Sequence, residues 1–208
     1  MKIKNFISFE GIDGAGKTTQ INLLKEKLEH YGYKVCIYRE PGGIEITEKI
    51  RKIILNKDFK ISKESELLLF LAARAELVRN AIISDLKNNC FVICDRYIDS
   101  TLAYQGYGRK IDLRLIERLN NFVVNDMLPS CTFYLDIDIN TMIERKIGMN
   151  KDRMEQSGLI FFKDVRDGYL TLVKKESRII KIDANKQIKS IESDIWKHFQ
   201  KIFKGYII

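Results

Sequence analysis

Eight residues near the amino terminus, Gly11-Ile12-Asp13-Gly14-Ala15-Gly16-Lys17-Thr18, read G-x-x-x-x-G-K-[ST] without a mismatch. A largely apolar run from Ile3 to Phe9 precedes them. Ile21, Leu24, Leu28 and Tyr31 follow at helical spacing, with Gly32 placed to end the helix. The pattern therefore predicts strand, loop and helix in the order a phosphate-binding loop requires. Glycines let the backbone curl around an anion with no Cβ in the way, so that successive N–H groups face the phosphates. The helix adds the positive end of its dipole. Lys17 is placed to bridge the β- and γ-phosphates of a nucleoside triphosphate, and the Thr18 hydroxyl to complete a Mg²⁺ shell.

The rest of the chain alternates short β-rich runs with longer helical stretches. Val35-Cys36-Ile37-Tyr38, Phe91-Val92-Ile93-Cys94, Phe133-Tyr134-Leu135 and Ile179-Ile180-Lys181-Ile182 read as further strands. Ser62 is placed to cap a long helix with the stripe Leu67, Leu71, Ala75, Val78 and Ile82. The last helix carries Ile188, Ile191, Ile195, Phe199 and Ile202. Continuous apolar strands separated by helices predict an α/β fold with a doubly wound parallel sheet of about five strands. No repeat or linker interrupts the 208 residues, so one domain spanning 1–208 is expected.

Composition excludes several classes. No segment reaches the ~18 consecutive apolar residues of a membrane span. The start of the chain lacks an apolar run with a small-residue cleavage site, so no signal peptide is expected. Cys36, Cys90, Cys94 and Cys131 stand singly, which is neither a disulfide framework nor a zinc pattern; buried reduced thiols in a cytoplasmic protein are expected. The net charge of +8 is scattered rather than blocked, so it reads as a lysine-rich surface suited to anionic substrates and not as a nucleic-acid site. The absence of an Asn-Lys-x-Asp motif counts against a GTPase.

Further motifs, in order, resemble the thymidylate kinase family. Phe9-Glu10 leads into the phosphate loop, and Tyr38-Arg39-Glu40-Pro41-Gly42-Gly43 resembles the family's second-strand turn. Leu69-Phe70-Leu71-Ala72-Ala73-Arg74 is similar to its base-binding helix. Asp95-Arg96-Tyr97 followed by Ser100-Thr101-Leu102-Ala103-Tyr104-Gln105-Gly106 is the most specific match, and Asp152-Arg153-Met154-Glu155 resembles the end of its mobile lid. The resemblance implies a P-loop kinase moving a phosphoryl group from ATP to dTMP with Mg²⁺, as a homodimer.

By that resemblance Phe70 and Arg74 present an aromatic face to a base and a cation to its carbonyl. Their i, i+4 spacing puts both on one side of a helix. Asp95 ends a parallel strand where ligands gather, and suits either of two tasks, holding a Mg²⁺ water or orienting Lys17. Arg96 suits a bidentate grip on the acceptor phosphate. Ser100, Thr101, Tyr104 and Gln105 are expected to line the nucleoside pocket, with Tyr104 excluding a 2′-hydroxyl, and Asp13 to lie near the acceptor's 3′-hydroxyl and the metal.

Gly14 stands where some family members carry a basic residue, which moves the catalytic cation to a lid at about 146–157. Its candidates are Arg145, Lys146, Lys151 and Arg153, and Arg153 is the choice because Asp152-Arg153 matches best. The stripe Leu67-Leu71-Ala75-Val78 suits either the core or a dimer face. Two other functions compete: a related nucleoside or nucleoside-monophosphate kinase, and a non-catalytic nucleotide-binding module.

Overall fold

The computed structural model describes residues 5–148 and 152–204; Ile3 of the expected first strand and Lys151 of the expected lid lie outside them. Five strands form one sheet: β1 (Phe6–Glu10), β2 (Val35–Arg39), β3 (Phe91–Asp95), β4 (Cys131–Asp136) and β5 (Ile179–Asp183). All pairings are parallel and the order is β2-β3-β1-β4-β5. Phe9 stands opposite Asp95 on one side and Phe133 on the other, so β1 is central. Every residue of β1 and β4 is buried, Ser8, Glu10, Thr132 and Asp136 included, as expected of parallel strands covered on both faces.

Helix α1 (Lys17–His30) returns from the phosphate loop and packs on the final helix α9 (Ile188–Ile202); Leu24 and Leu28 of the first and Ile195 and Phe199 of the second are buried in the core. Between β2 and β3 lie α2 (Glu45–Leu55) and α3 (Lys63–Leu77), then a π-turn at Val78–Ile82 that runs on into α4 (Ile83–Lys87). The Ser62 side chain caps α3 by accepting from Ser65 N at 3.2 Å. Leu67, Leu71 and Val78 are core residues, which settles that half of their stripe.

After β3 come α5 (Ile98–Thr101), a π-helical segment at Leu102–Gly108, α6 (Leu113–Val124), α7 (Ile139–Arg145) and α8 (Leu159–Lys175). The π segment and α8 lie side by side because Gly168 has no side chain. A Cβ there would stand 2.6 Å from the Tyr107 ring. The chain crosses from one side of β1 to the other between β3 and β4. That switch point opens a crevice beyond the carboxyl ends of β1 and β3.

Candidate active site

The loop after β1 is built for close approach. Gly11 has φ +141°, and a Cβ there would lie 2.5 Å from the carbonyl oxygen of Leu135. The Lys17 ammonium folds back across the loop, donating to the carbonyls of Gly11 at 3.2 Å and Ile12 at 3.4 Å. It lies 3.9 Å from Asp95 Oδ1, while the Thr18 hydroxyl donates to Asp95 Oδ2 at 3.4 Å. Burial, and next the charge of Arg96, lower the Lys17 pKa; Asp95 and Asp13 oppose them. A cleft over this loop is walled by Asp13, Lys17, Thr18, Asp95, Arg96 and Arg145.

A second cleft adjoins it, more apolar, with Phe70, Leu55, Tyr104 and Met154 on its walls. Asp13, Glu40, Arg51 and Arg96 line both clefts. The molecule thus has a polar chamber at the phosphate loop and an apolar chamber next to it, meeting at two guanidinium groups. Two polar atoms in the apolar chamber are buried without a hydrogen-bond partner, the Tyr104 hydroxyl and Glu40 Oε1. Such atoms are uncommon in folded proteins and mark places where a bound molecule completes the bonding.

Arg96 sits between the chambers in a left-handed conformation, φ +74°, rare for a residue with a side chain. Its backbone is tied to Phe9 O at 2.9 Å. Its guanidinium donates to Asp13 Oδ1 at 2.6 Å and to the Ser100 hydroxyl at 3.2 Å, and covers the Tyr104 ring at 4.9 Å. Burial pushes the Asp13 carboxyl up, but Arg96, Lys17 and Lys146 together outweigh it and hold the group at about 2. Asp13 is therefore ionised at any physiological pH and a feeble base.

Sequence reasoning missed the support beneath Arg96. Glu10, fully buried, accepts from Tyr97 N at 2.7 Å, Ser100 Oγ at 2.5 Å and Tyr169 OH at 2.8 Å. Burial, then the nearby charge of Asp99, raise its pKa to about 7. It also missed Arg51, which donates to Pro41 O at 2.8 Å and lines both chambers; no local motif singles out one arginine on α2.

Phe70, Arg74, Ser100, Thr101, Tyr104 and Gln105 do meet in the apolar chamber. Two expectations change. Arg74 is 1 % exposed, and each of its N–H groups has an acceptor: Glu40 Oε2 twice, at 2.8 and 2.5 Å, Thr101 Oγ1 at 2.9 Å, Asn120 Oδ1 at 2.6 Å and Tyr97 O at 3.0 Å. A guanidinium has five N–H donors, so none is left over for a base carbonyl unless a bond is shared or exchanged. Its first task here is to neutralise the buried Glu40.

Arg153 is not brought to the phosphate loop. It donates to Ile54 O at 2.6 Å and pairs with the buried Glu66 at 2.7 Å, and it lines neither chamber. Glu66 already gathers Arg109 and Gln105, and a carboxylate in the core draws in the cations within reach. Of the other lid candidates, Lys146 lies 4.0 Å from Asp13 Oδ2 and contacts Glu155, and Arg145 donates to Gly14 O at 3.0 Å.

Comparison with known proteins decides the family. The thymidylate kinase family model matches residues 9–195. The chain belongs to the thymidylate kinase family. It is 46% identical to a thymidylate kinase of Thermosipho africanus over 94% of this chain and 99% of that one. It is 42% identical to one of Kosmotoga olearia over 93% and 94%. A crystal structure of thymidylate kinase from Ehrlichia chaffeensis superposes with a TM-score of 0.77 at 39% identity, covering 94% of this chain and 98% of that one. The five-stranded parallel sheet flanked by helices is thus a thymidylate kinase fold, of the P-loop NTPase type. No described helix is long and apolar enough to cross a membrane.

Proposed function

We propose that this chain transfers the γ-phosphoryl group of ATP to dTMP, with the triphosphate in the polar chamber and the monophosphate in the apolar one. Membership of the thymidylate kinase family supports the reaction class, and the observation that carries the geometry is the shared wall of Asp13, Arg51 and Arg96 between the chambers. Two anions held end to end at a pair of guanidiniums are oriented for in-line transfer, which is most of what phosphoryl transfer asks of a protein.

The phosphate loop and Lys17 hold the donor. Arg96 and Arg51 grip the acceptor phosphate, Phe70 stacks on the base, and Ser100, Thr101 and Gln105 border the nucleoside. Tyr104 fills the space of a 2′-hydroxyl, and Asp13 fixes Arg96 near the sugar. Thr18 and Asp95 offer a hydroxyl and a carboxylate 3.4 Å apart, hard oxygen donors that fit a Mg²⁺ ion. That ion would neutralise charge on the donor phosphates.

No general base is needed, because a phosphate monoester with a second pKa near ~6 is already mostly ionised. His30 and His198 lie on α1 and α9 and line neither chamber, and Asp13 is too acidic to serve. This disfavours a nucleoside kinase, whose acceptor hydroxyl must lose a proton. Residues 146–157 act as the lid on a single domain spanning 1–208. Lys146, beside Asp13, replaces Arg153 as the cation that engages on closure. The protein works in the cytoplasm as a homodimer, with exposed apolar residues such as Leu68 and Phe122 available for the subunit contact.

Turnover of ATP with dTMP, dCMP, AMP and thymidine tests the reading. dTMP should be preferred by several powers of ten over the wrong bases. Comparable rates with dCMP or AMP, or a preference for thymidine, would refute it.

A further inference from the structure

Away from both chambers, three metal-ligating side chains converge. The sulfurs of Cys36 and Cys90 and a carboxylate oxygen of Asp85 all lie within 4.8 Å of one another, the one such group among the described residues. Cys36 is far from the other two in sequence, and sheet register and a turn bring the three together. Cys36 is the second residue of β2, and Cys90 immediately precedes β3, whose first residue, Phe91, stands opposite Val35. The turn between α4 and β3 closes through a bond from Cys90 N to Asp85 O at 3.0 Å, which sets Asp85 beside the cysteine.

The donor set is also oriented. Tyr38, two residues beyond Cys36 and so on the same face of β2, donates its hydroxyl to Asp85 Oδ2 at 2.5 Å. A carboxylate held by an outer hydrogen bond beside two thiols is a common arrangement around bound metals. Cys90 is buried, whereas Cys36 and Asp85 are half-exposed, so an ion can enter from solvent.

We propose that Cys36, Asp85 and Cys90 form a structural site for a thiophilic divalent cation of the zinc class, tying edge strand β2 to the α4–β3 turn. Two thiolates and a carboxylate suit Zn²⁺, with water as a fourth ligand in tetrahedral geometry, and do not suit the hard, octahedral Mg²⁺. Binding releases the two thiol protons and leaves two S–metal bonds and one O–metal bond, with no change of oxidation state. The site lies at the amino-terminal edge of the sheet, opposite the carboxyl edge that carries both chambers. It therefore braces the fold and takes no part in phosphoryl transfer.

The test uses the full chain, reduced, stripped of metal with a chelator and then titrated with Co²⁺ and Zn²⁺. One equivalent of Co²⁺ should bind with thiolate-to-metal charge-transfer absorption in the near ultraviolet, and Zn²⁺ should displace it. Zn²⁺ at a hundredfold excess over its Kd should raise Tm by several degrees. Cys36→Ser and Cys90→Ser should lose the absorption and the Tm rise while keeping turnover, and Asp85→Asn should bind at least tenfold more weakly. Cys131→Ala, outside the cluster, should keep both signals. Absence of stoichiometric Co²⁺ absorption in the reduced wild type overturns the proposal. So does an undiminished signal in Cys36→Ser, or a Cys36–Cys90 disulfide in a protein that takes up no cation once reduced.

Discussion

Replacing Glu10 with glutamine asks whether a buried carboxyl supports the residue between the two chambers. Glu10 Oε2, Ser100 Oγ and Tyr169 OH form a triangle with edges of 2.5, 2.8 and 2.8 Å, and both hydroxyl oxygens also face Arg96, at 3.2 and 3.5 Å. Two hydroxyl protons cannot fill three short contacts; a protonated Glu10 supplies the third. Burial is the leading reason its pKa rises from the ordinary 4.5 to about 7, with Asp99 adding to it and Ser100, Arg96 and Tyr169 pulling the other way.

Between those two values the folded protein keeps a proton that the unfolded chain has released. The unfolded state therefore binds fewer protons, and this group's contribution to stability falls as pH rises through the window. At about 1.4 kcal/mol per pH unit, the loss from 4.5 to about 7 amounts to roughly 3 kcal/mol. Glutamine keeps the shape and does not titrate.

Urea unfolding of both proteins from pH 4 to 8 should show Glu10→Gln gaining on the wild type by about 3 kcal/mol across the window, with m unchanged. Asp13, whose folded pKa of about 2 lies below its ordinary 3.8, changes stability only under the window and cancels between the two proteins. At neutral pH the variant should be the more stable protein. Parallel pH–stability curves would refute the argument, since the carboxyl would then titrate alike folded and unfolded.

Three other outcomes follow from the geometry. Lys146→Ala should lower kcat by about 10²-fold with little change in KM, whereas Arg153→Ala should lower stability by about 1–3 kcal/mol through Glu66 and leave kcat closer to normal; steady-state kinetics and urea midpoints separate the two, and the reverse pattern restores Arg153 as the catalytic cation. Arg74→Met should destabilise by about 3–5 kcal/mol because it strands the buried Glu40, and a Tm within a degree or two of wild type would show that the pair is not what holds the chamber. Tyr104→Phe should cost little stability, since the hydroxyl makes no hydrogen bond among the described residues, while Tyr104→Ala should narrow the gap in kcat/KM between dTMP and its ribonucleotide; an unchanged gap assigns the sugar filter elsewhere.

Local chemistry made much of this legible in the sequence. A phosphate loop is an eight-residue device whose glycines and lysine act within one turn of chain, so Gly11 to Thr18 announced both the central strand and the first helix. Short apolar, β-branched and aromatic runs marked the strands, including edge strands β2 and β5, which are only partly buried. Ser62 marked a helix start for the same local reason. The residues that meet in the apolar chamber were legible through family resemblance, which records a tertiary arrangement already solved elsewhere.

What sequence could not rank was competition among like charges. Arg51, Arg96, Arg145, Lys146 and Arg153 are all cations near a motif, and nothing in their spacing says which carboxylate each will find. Buried Glu66 captured Arg153, buried Glu40 captured Arg74, and Asp13 was left to Arg96 and Lys146. Cys36 and Cys90 were read as standing singly, and Asp85 was not singled out, because β2–β3 register brings the three together, not any local pattern. The sequence by itself determined the strands, the helices and the phosphate loop, since these depend on neighbours a few residues away. Only the tertiary structure decided the pairing of buried charges and thiols, because their energies depend on a desolvation that exists only once the chain has closed around them.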